Sequence, residues 1–378
     1  MTAGSIDPGE LARLTAELVD IPSESHHEEA IAAFVERRLA GIGEGVLEVR
    51  RIRNNVVART TFGLGQRLVL AGHLDTVPAN GNEVARLENG VLWGLGAADM
   101  KGGDAVFIEL CRLVCGESRR AGGAPAGLET DLTWVFYACE EVDRRYSGLA
   151  EVAEADRTWL EADAAVLGEP TGAVVEAGCQ GVLRVVAEVR GERAHTARPW
   201  TGRNAIHLLA PLIEAVARYE ERRPVVDGCE YREALQAVSV SGGVANNVVP
   251  DAARLVLNHR FAPDRTAAEA FAAVRELMQQ AAGRAGIPPG DLEVTLEEEA
   301  AAAPPALGHP VLARLVGASG APPRAKLGWT DVSWFAQHGV PAANFGPGEP
   351  TVAHKADERV PVDQLGRAFE VLRSVILP

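Results

Sequence analysis

The stretch Arg67-Leu-Val-Leu-Ala-Gly-His73-Leu-Asp75-Thr-Val-Pro78 constrains this chain more than any other. The run from Arg67 to Ala71 is short, apolar and branched, which predicts a core strand. His73 and Asp75 follow two residues apart, so on extended backbone both side chains leave toward one side. A strand that ends in an imidazole and a carboxylate suits an open α/β sheet, where ligands gather at the carboxyl ends of the strands. A turn histidine beside an acid is the plainer account, and His-x-Asp alone does not choose between the two.

The same ending recurs along the chain. An apolar run at 132–138 delivers Cys139-Glu140-Glu141, and another at 164–167 delivers Gly168-Glu169-Pro-Thr171. Gly94-Leu-Gly-Ala-Ala-Asp99-Met-Lys-Gly-Gly103 precedes an apolar helix expected over 105–114, and the loop from Gly346 ends in His354. Adjacent carboxylates at a strand end are costly unless something cationic lies beside them. The glycine-rich turn invites a dinucleotide reading and hence an oxidoreductase. It holds no Gly-x-Gly-x-x-Gly and no Gly-Lys-Ser/Thr, so its glycines are better read as bringing backbone close to Asp99. Two imidazoles with several carboxylates and no thiolate suit Zn²⁺, Co²⁺ or Mn²⁺. The set exceeds the needs of one tetrahedral ion. A pair of ions about 3.5–4 Å apart, bridged by one carboxylate, uses all of it, holding a hydroxide and polarising a carbonyl.

A chain of 378 residues is longer than a single core usually takes. Its middle changes character, with strands expected at 182–189, 237–240, 254–260 and 292–296 and helices at 203–221 and 267–282. The order βαββαβ predicts a four-stranded antiparallel sheet with two helices on one face, a ferredoxin-like α+β domain inserted at 179–297. The remainder, 1–178 and 298–378, is expected to form a three-layer α/β catalytic domain around a mainly parallel mixed sheet.

The net charge of −15 argues against nucleic acid or an anionic membrane as partner, though not against an anionic small substrate met by local arginines. No apolar run approaches the ~20 residues of a membrane span, and the amino terminus lacks the basic and apolar regions of a signal peptide. Five scattered cysteines without a Cys-x-x-Cys pair fit free thiols in a reducing cytoplasm, the expected location.

Taken together and in this order, Gly72-His-Leu-Asp-Thr-Val-Pro78, Asp99-Met-Lys-Gly-Gly103, Glu140-Glu141, Gly168-Glu-Pro-Thr171 and His354 resemble a known family. It is the di-zinc amidohydrolase and peptidase family that includes succinyl-diaminopimelate desuccinylase, acetylornithine deacetylase and glutamate carboxypeptidase. The resemblance covers nearly the whole chain. It implies two divalent ions, Zn²⁺ with Co²⁺ or Mn²⁺ as alternatives. His73 and Glu169 would bind one, Glu141 and His354 the other, and Asp99 would bridge them. Asp75 would hydrogen-bond the far nitrogen of His73, and Glu140 would be the general base. The peptide after Asp99 is expected to be cis.

Gly191-Glu-Arg-Ala-His195-Thr-Ala-Arg-Pro is similar to the segment whose histidine reaches a partner subunit's active site. The resemblance thus implies a homodimer through the inserted domain, which also acts as a lid, with His195 donating to the developing oxyanion. Arg198, Asn246, Arg260, Gly328 and Thr330 are its implied substrate contacts. The implied activity is hydrolysis of a linear amide in an anionic N-acyl amino acid, with N-succinyl-diaminopimelate suited to the supply of arginine. An acetylornithine deacetylase or a dipeptidase or carboxypeptidase is the rival within the family. A non-catalytic binding protein on the same fold is the rival outside it, against which the complete ligand set stands. Leu95 replaces the arginine of the usual Gly-Arg-Gly, and Cys179-Gln180 replaces a basic pair, so the acyl group stays open.

Overall fold

The computed structural model describes residues 6–377. The chain divides into two compact units. One extends to Ala177 and includes Ala306–Arg324 and everything from Trp334; the other comprises Gly178–Pro305 and Ala325–Ser333. The insertion expected at 179–297 therefore reaches Pro305 and takes in a detached segment. Two pairings explain the longer reach. The last strand of the unit continues to Ala300, and the backbone of Ala303 exchanges hydrogen bonds of 3.0 Å with Cys179. Ala300–Pro305, alanine- and proline-rich and so linker-like in composition, is thereby tied into the unit.

In the first unit the main sheet runs, in space, Glu48–Ile52, Asn55–Arg59, Asp131–Tyr137, Arg67–His73, Ala164–Leu167, Ala342–Asn344, Glu176–Ala177. Its four inner strands are mutually parallel, and antiparallel strands lie to either side. The fold is thus mixed α/β with a mainly parallel centre. Parallel strands covered on both faces read as unbroken apolar runs, and Asp131–Tyr137 is buried at every position. Helix Val362–Ile376 buries Leu365, Phe369, Leu372 and Ile376, the three- and four-residue spacing of one helical face. Helix Pro8–Val19 begins with Pro8 in its first turn and Asp7 Oδ1 accepting from the Gly9 N–H.

Helix Lys101–Ala121 starts earlier than expected, placing Gly102 and Gly103 in its first turn. A Cβ on Gly103 would stand 2.2 Å from the Gly168 carbonyl oxygen. For Gly103 the expected role beside Asp99 is therefore corrected to close approach between two elements that carry acids, whereas a Cβ on Gly102 would stand 2.7 Å from the Ala97 carbonyl oxygen in the loop that leads to Asp99.

The second unit holds an antiparallel sheet in the order Ala234–Gly242, Ala252–Phe261, Gly181–Arg190, Leu292–Ala300. Helices Ala205–Ala217 and Ala267–Arg284 cover one face, where Leu209, Leu212, Val274 and Met278 share a core with Leu183, Val185, Leu255 and Leu257. Among the described residues no helix is long and apolar enough to cross a membrane.

Candidate metal centre

Register places the first histidine. His73 ends its strand opposite Tyr137, and Ala71 lies opposite Leu167 on the other side. The Gly168 N–H donates to the Ala71 carbonyl at 3.0 Å, so Glu169 follows level with His73 at the carboxyl end of the neighbouring strand. His73, Asp75 and Glu169 are all buried.

The His73–Asp75 relation differs from the expected one. His73 Nδ1 bonds the backbone carbonyl of Asp75 at 3.0 Å, while the nearer carboxylate oxygen stands 3.6 Å away. The carboxylate is otherwise engaged. It accepts the backbone N–H groups of Glu140 and Glu141 at 3.0 Å each and the Ser25 hydroxyl at 2.7 Å. A carbonyl can only accept, so Nδ1 carries the proton and Nε2 of a neutral His73 offers a lone pair.

That Nε2 faces Asp99, 3.2 Å from Oδ1. His354 approaches the same carboxylate from the other oxygen, its Nε2 3.4 Å from Asp99 Oδ2 and 2.8 Å from Glu141 Oε1. Asp99 thus lies between the two imidazoles, as a shared ligand would. Single potential ligand atoms of His73, Asp99 and Glu141 all fall within 4.8 Å of one another. The Asp99–Met100 peptide is cis.

The crowded acids set the electrostatics. Hydrogen bonds to Asp99 and Glu141 push His354 up to about 10. Burial opposes charge on His73, yet Asp99, Glu140 and Asp75 outweigh it and hold the imidazole well above its usual value. Burial, then the nearby Asp99 charge, raises Glu141. A cluster that holds protons this strongly calls for positive charge, and its nitrogen and carboxylate donors fit divalent zinc, cobalt or manganese.

The remaining expected contacts lie in the second unit. His195 Nδ1 accepts the Ala197 N–H at 3.0 Å, so the neutral ring carries its proton on Nε2, and the side chain is exposed. Arg198 and Asn246 are exposed, Gly328 is exposed and Thr330 buried. Arg260 is partly buried near the end of the Ala252–Phe261 strand, and no described carboxylate forms an ion pair with it. Burial draws its guanidinium below the usual range, a cost that an anionic ligand would offset.

A model of the peptidase family M20/M25/M40 matches residues 69–377. The chain belongs to this family. Over 364 residues it is 44% identical to a succinyl-diaminopimelate desuccinylase of Corynebacterium glutamicum, covering 96% of this chain and 95% of that one. Over 365 residues it is 48% identical to a protein of Mycobacterium tuberculosis (strain ATCC 25618 / H37Rv) described as a candidate for the same enzyme, covering 97% of each. Among solved structures, a tripeptidase from Staphylococcus aureus superposes with a TM-score of 0.77 at 21% identity, over 98% of each chain. A Bacillus subtilis protein, described as a dinuclear metal-binding peptidase of family M20, gives 0.69 at 15% identity over 98% of this chain and 97% of that one.

Two supporting residues of this family member escape reasoning from sequence. Glu358 Oε1 accepts the N–H groups of Ala98 and Asp99 at 3.0 Å each, fixing the backbone that presents the shared carboxylate. Burial first, then the charge of Asp99, pushes Glu358 up to about 7. Its one sequence signal is an acid four residues beyond His354. Ser25 has no signal, because its bond to Asp75 spans 50 residues.

Proposed function

We propose that this family member is a dinuclear metal-dependent amide hydrolase that cleaves N-succinyl-diaminopimelate into succinate and diaminopimelate. The observation that carries the metal chemistry is Asp99 set between His73 and His354, beside a Glu140–Glu141 turn whose amides are bound by Asp75. The named relatives at 44% and 48% identity support the substrate. His73 and Glu169 would hold one divalent ion and Glu141 and His354 the other, with Asp99 shared. When bound, such a pair supplies an activated water and an electrophile for the amide carbonyl.

The chain's own groups do the rest. Glu140 takes a proton from the attacking water and returns it to the leaving amine. His195 of a partner subunit donates its Nε2–H to the developing oxyanion, the tautomer that Ala197 selects. Arg260 takes a substrate carboxylate as a bidentate pair, and Arg198, Asn246, Gly328 and Thr330 complete the contacts. A homodimer through the second unit is supported by the edge strand Ala234–Gly242, on which Val238 and Val240 are 58% and 49% exposed. An open edge with apolar side chains is a liability unless a second copy covers it. The setting is the cytoplasm.

The test is hydrolysis by dialysed enzyme, with and without added Zn²⁺, of N-succinyl-diaminopimelate, N-acetylornithine and dipeptides. Activity should require metal and favour the succinylated substrate, and Glu140→Gln should keep metal while losing turnover. Activity surviving complete metal removal, or Glu140→Gln turning over near the parent rate, would overturn the mechanism. Faster turnover of N-acetylornithine or a dipeptide would overturn the substrate.

A further inference from the structure

The segment Ser23–Glu28, between the first two helices, runs alongside the catalytic turn. It forms a parallel bridge to the His73 loop through Glu24 and Thr76, with Ser25 N–H donating to Thr76 O at 3.1 Å and Thr76 N–H to Ser23 O at 2.9 Å. Ser25 then bonds the Asp75 carboxylate. At its far end stands Glu28, the residue before helix Glu29–Gly43 and only 1% exposed.

A residue at that position usually turns its side chain onto the free N–H groups of the helix. Glu28 makes no such bond. Its Oε1 accepts the Cys139 S–H at 3.2 Å and the His26 N–H at 2.7 Å, and its Oε2 accepts from Asn54 Nδ2 at 3.1 Å. The Cys139 sulfur also lies 3.5 Å from His26 Nδ1, the longer of its two approaches. Among the described residues no lysine or arginine pairs with Glu28, so the cost of burying its charge is met by these donors. Cys139 itself sits at φ +59°, a left-handed conformation that a side-chain-bearing residue adopts only when its surroundings hold it there. The two residues that leave this turn are Glu140 and Glu141.

We propose that Glu28 is a positioning residue for the reaction: by accepting the Cys139 S–H it fixes the left-handed turn from which the base Glu140 and the ligand Glu141 depart. Asp75 holds the amides after the turn and Glu28 holds the side chain within it. Ser23–Glu28 is thus a strap that aims the two carboxylates while touching no substrate. This rests on the reading of Glu140 as base. Its signature is a loss confined to kcat, because substrate contacts and ligand identities are unchanged.

The experiment compares metal-loaded parent enzyme with Glu28→Gln, Cys139→Ala, Cys139→Ser and the double variant Glu28→Gln/Cys139→Ala. It measures kcat and KM on N-succinyl-diaminopimelate, metal per chain and melting temperature. Glu28→Gln should lower kcat about ten- to hundredfold, as a misaimed base does, with KM within about twofold and full metal content. Cys139→Ala should lower kcat about three- to tenfold, and the hydroxyl of Cys139→Ser should restore most of that. The double variant should be no slower than Glu28→Gln, since both changes act on the Cys139 S–H bond, which glutamine weakens by offering a neutral acceptor and alanine removes. Unchanged kcat in Glu28→Gln, multiplying losses in the double variant, or equal losses in the Ala and Ser variants would each overturn the proposal. If Glu28→Gln does not fold, the Cys139 pair decides alone. Glu140→Gln separates the two ideas. An inactive Glu140→Gln beside fully active strap variants rejects the strap only, and an active one rejects the base and the strap with it.

Discussion

The backbone carbonyl of Asp75 takes the Nδ1–H of His73, and its carboxylate takes the amides of Glu140 and Glu141. One residue therefore sets the tautomer of a proposed ligand and the path of the turn that carries the proposed base, through different atoms. The division predicts the outcome of Asp75→Asn. The carbonyl stays, so His73 keeps its tautomer and the enzyme its metal. The amide group can satisfy only one of the two Glu N–H groups, so kcat should fall about ten- to hundredfold, the usual effect of losing an outer hydrogen-bond partner. Metal analysis beside kinetics checks this; loss of metal would show that the carboxylate orients His73 after all. The His-x-Asp spacing was legible because extended backbone has a period of two. Which atom of Asp75 bonds His73 was not, since both lie on the same side and only the distant Glu140 and Ser25 decide between them.

Strands and helices were more legible in kind than in extent. The apolar runs at Arg67–His73, Asp131–Tyr137 and Ala164–Leu167 announced parallel strands because both of their faces are covered. The start of helix Lys101–Ala121 was missed because glycines signal a turn locally, whereas the Gly168 carbonyl that requires Gly103 lies on another element. Asp131 is a comparable case at a strand's beginning. It accepts from the Thr60 hydroxyl at 2.6 Å and from the N–H groups of Phe62, Gly63 and Leu64 at 2.9–3.0 Å. Burial alone would raise its carboxyl, but the Thr60 hydroxyl and the Phe62 and Leu64 amides together hold it below the usual range. A carboxyl depressed in the folded state adds stability above its unfolded value, near 3.9, and loses it as pH falls through the folded value. Asp131→Asn should therefore cost about 1–3 kcal/mol at pH 7, and the gap from the parent should begin to narrow as pH falls below about 4. Urea melts across that range test this; a gap that stays constant on acidification would reject the ionised carboxylate as its source.

At the scale of the molecule, the proposed metal ligands and Glu140 belong to one compact unit, while His195, Arg198, Asn246, Arg260, Gly328 and Thr330 belong to the other. The proposed action of His195 across a dimer has a numerical consequence. Mixed Glu140→Gln and His195→Ala chains, each inactive alone, place one intact site in every heterodimer. Random pairing in a symmetric dimer should then recover about a quarter of parent activity. No recovery from confirmed heterodimers would remove the trans role. The division into units was legible from the switch to βαββαβ order, but its far boundary was not. Ala300–Pro305 reads as a linker by composition, and the pairing of Cys179 with Ala303 crosses more than a hundred residues. That pairing brings the two ends of Gly178–Pro305 side by side. The segment is consequently an exchangeable cassette. A relative's version can be spliced in at the same two seams without altering the gap that the host scaffold has to bridge. Such a chimaera would import His195, Arg198, Asn246, Arg260 and the exposed edge of Ala234–Gly242 as a set, yet leave Gly328 and Thr330 behind with the host. Recombination between relatives can therefore transplant three of the five proposed substrate contacts in one event and must match the other two separately.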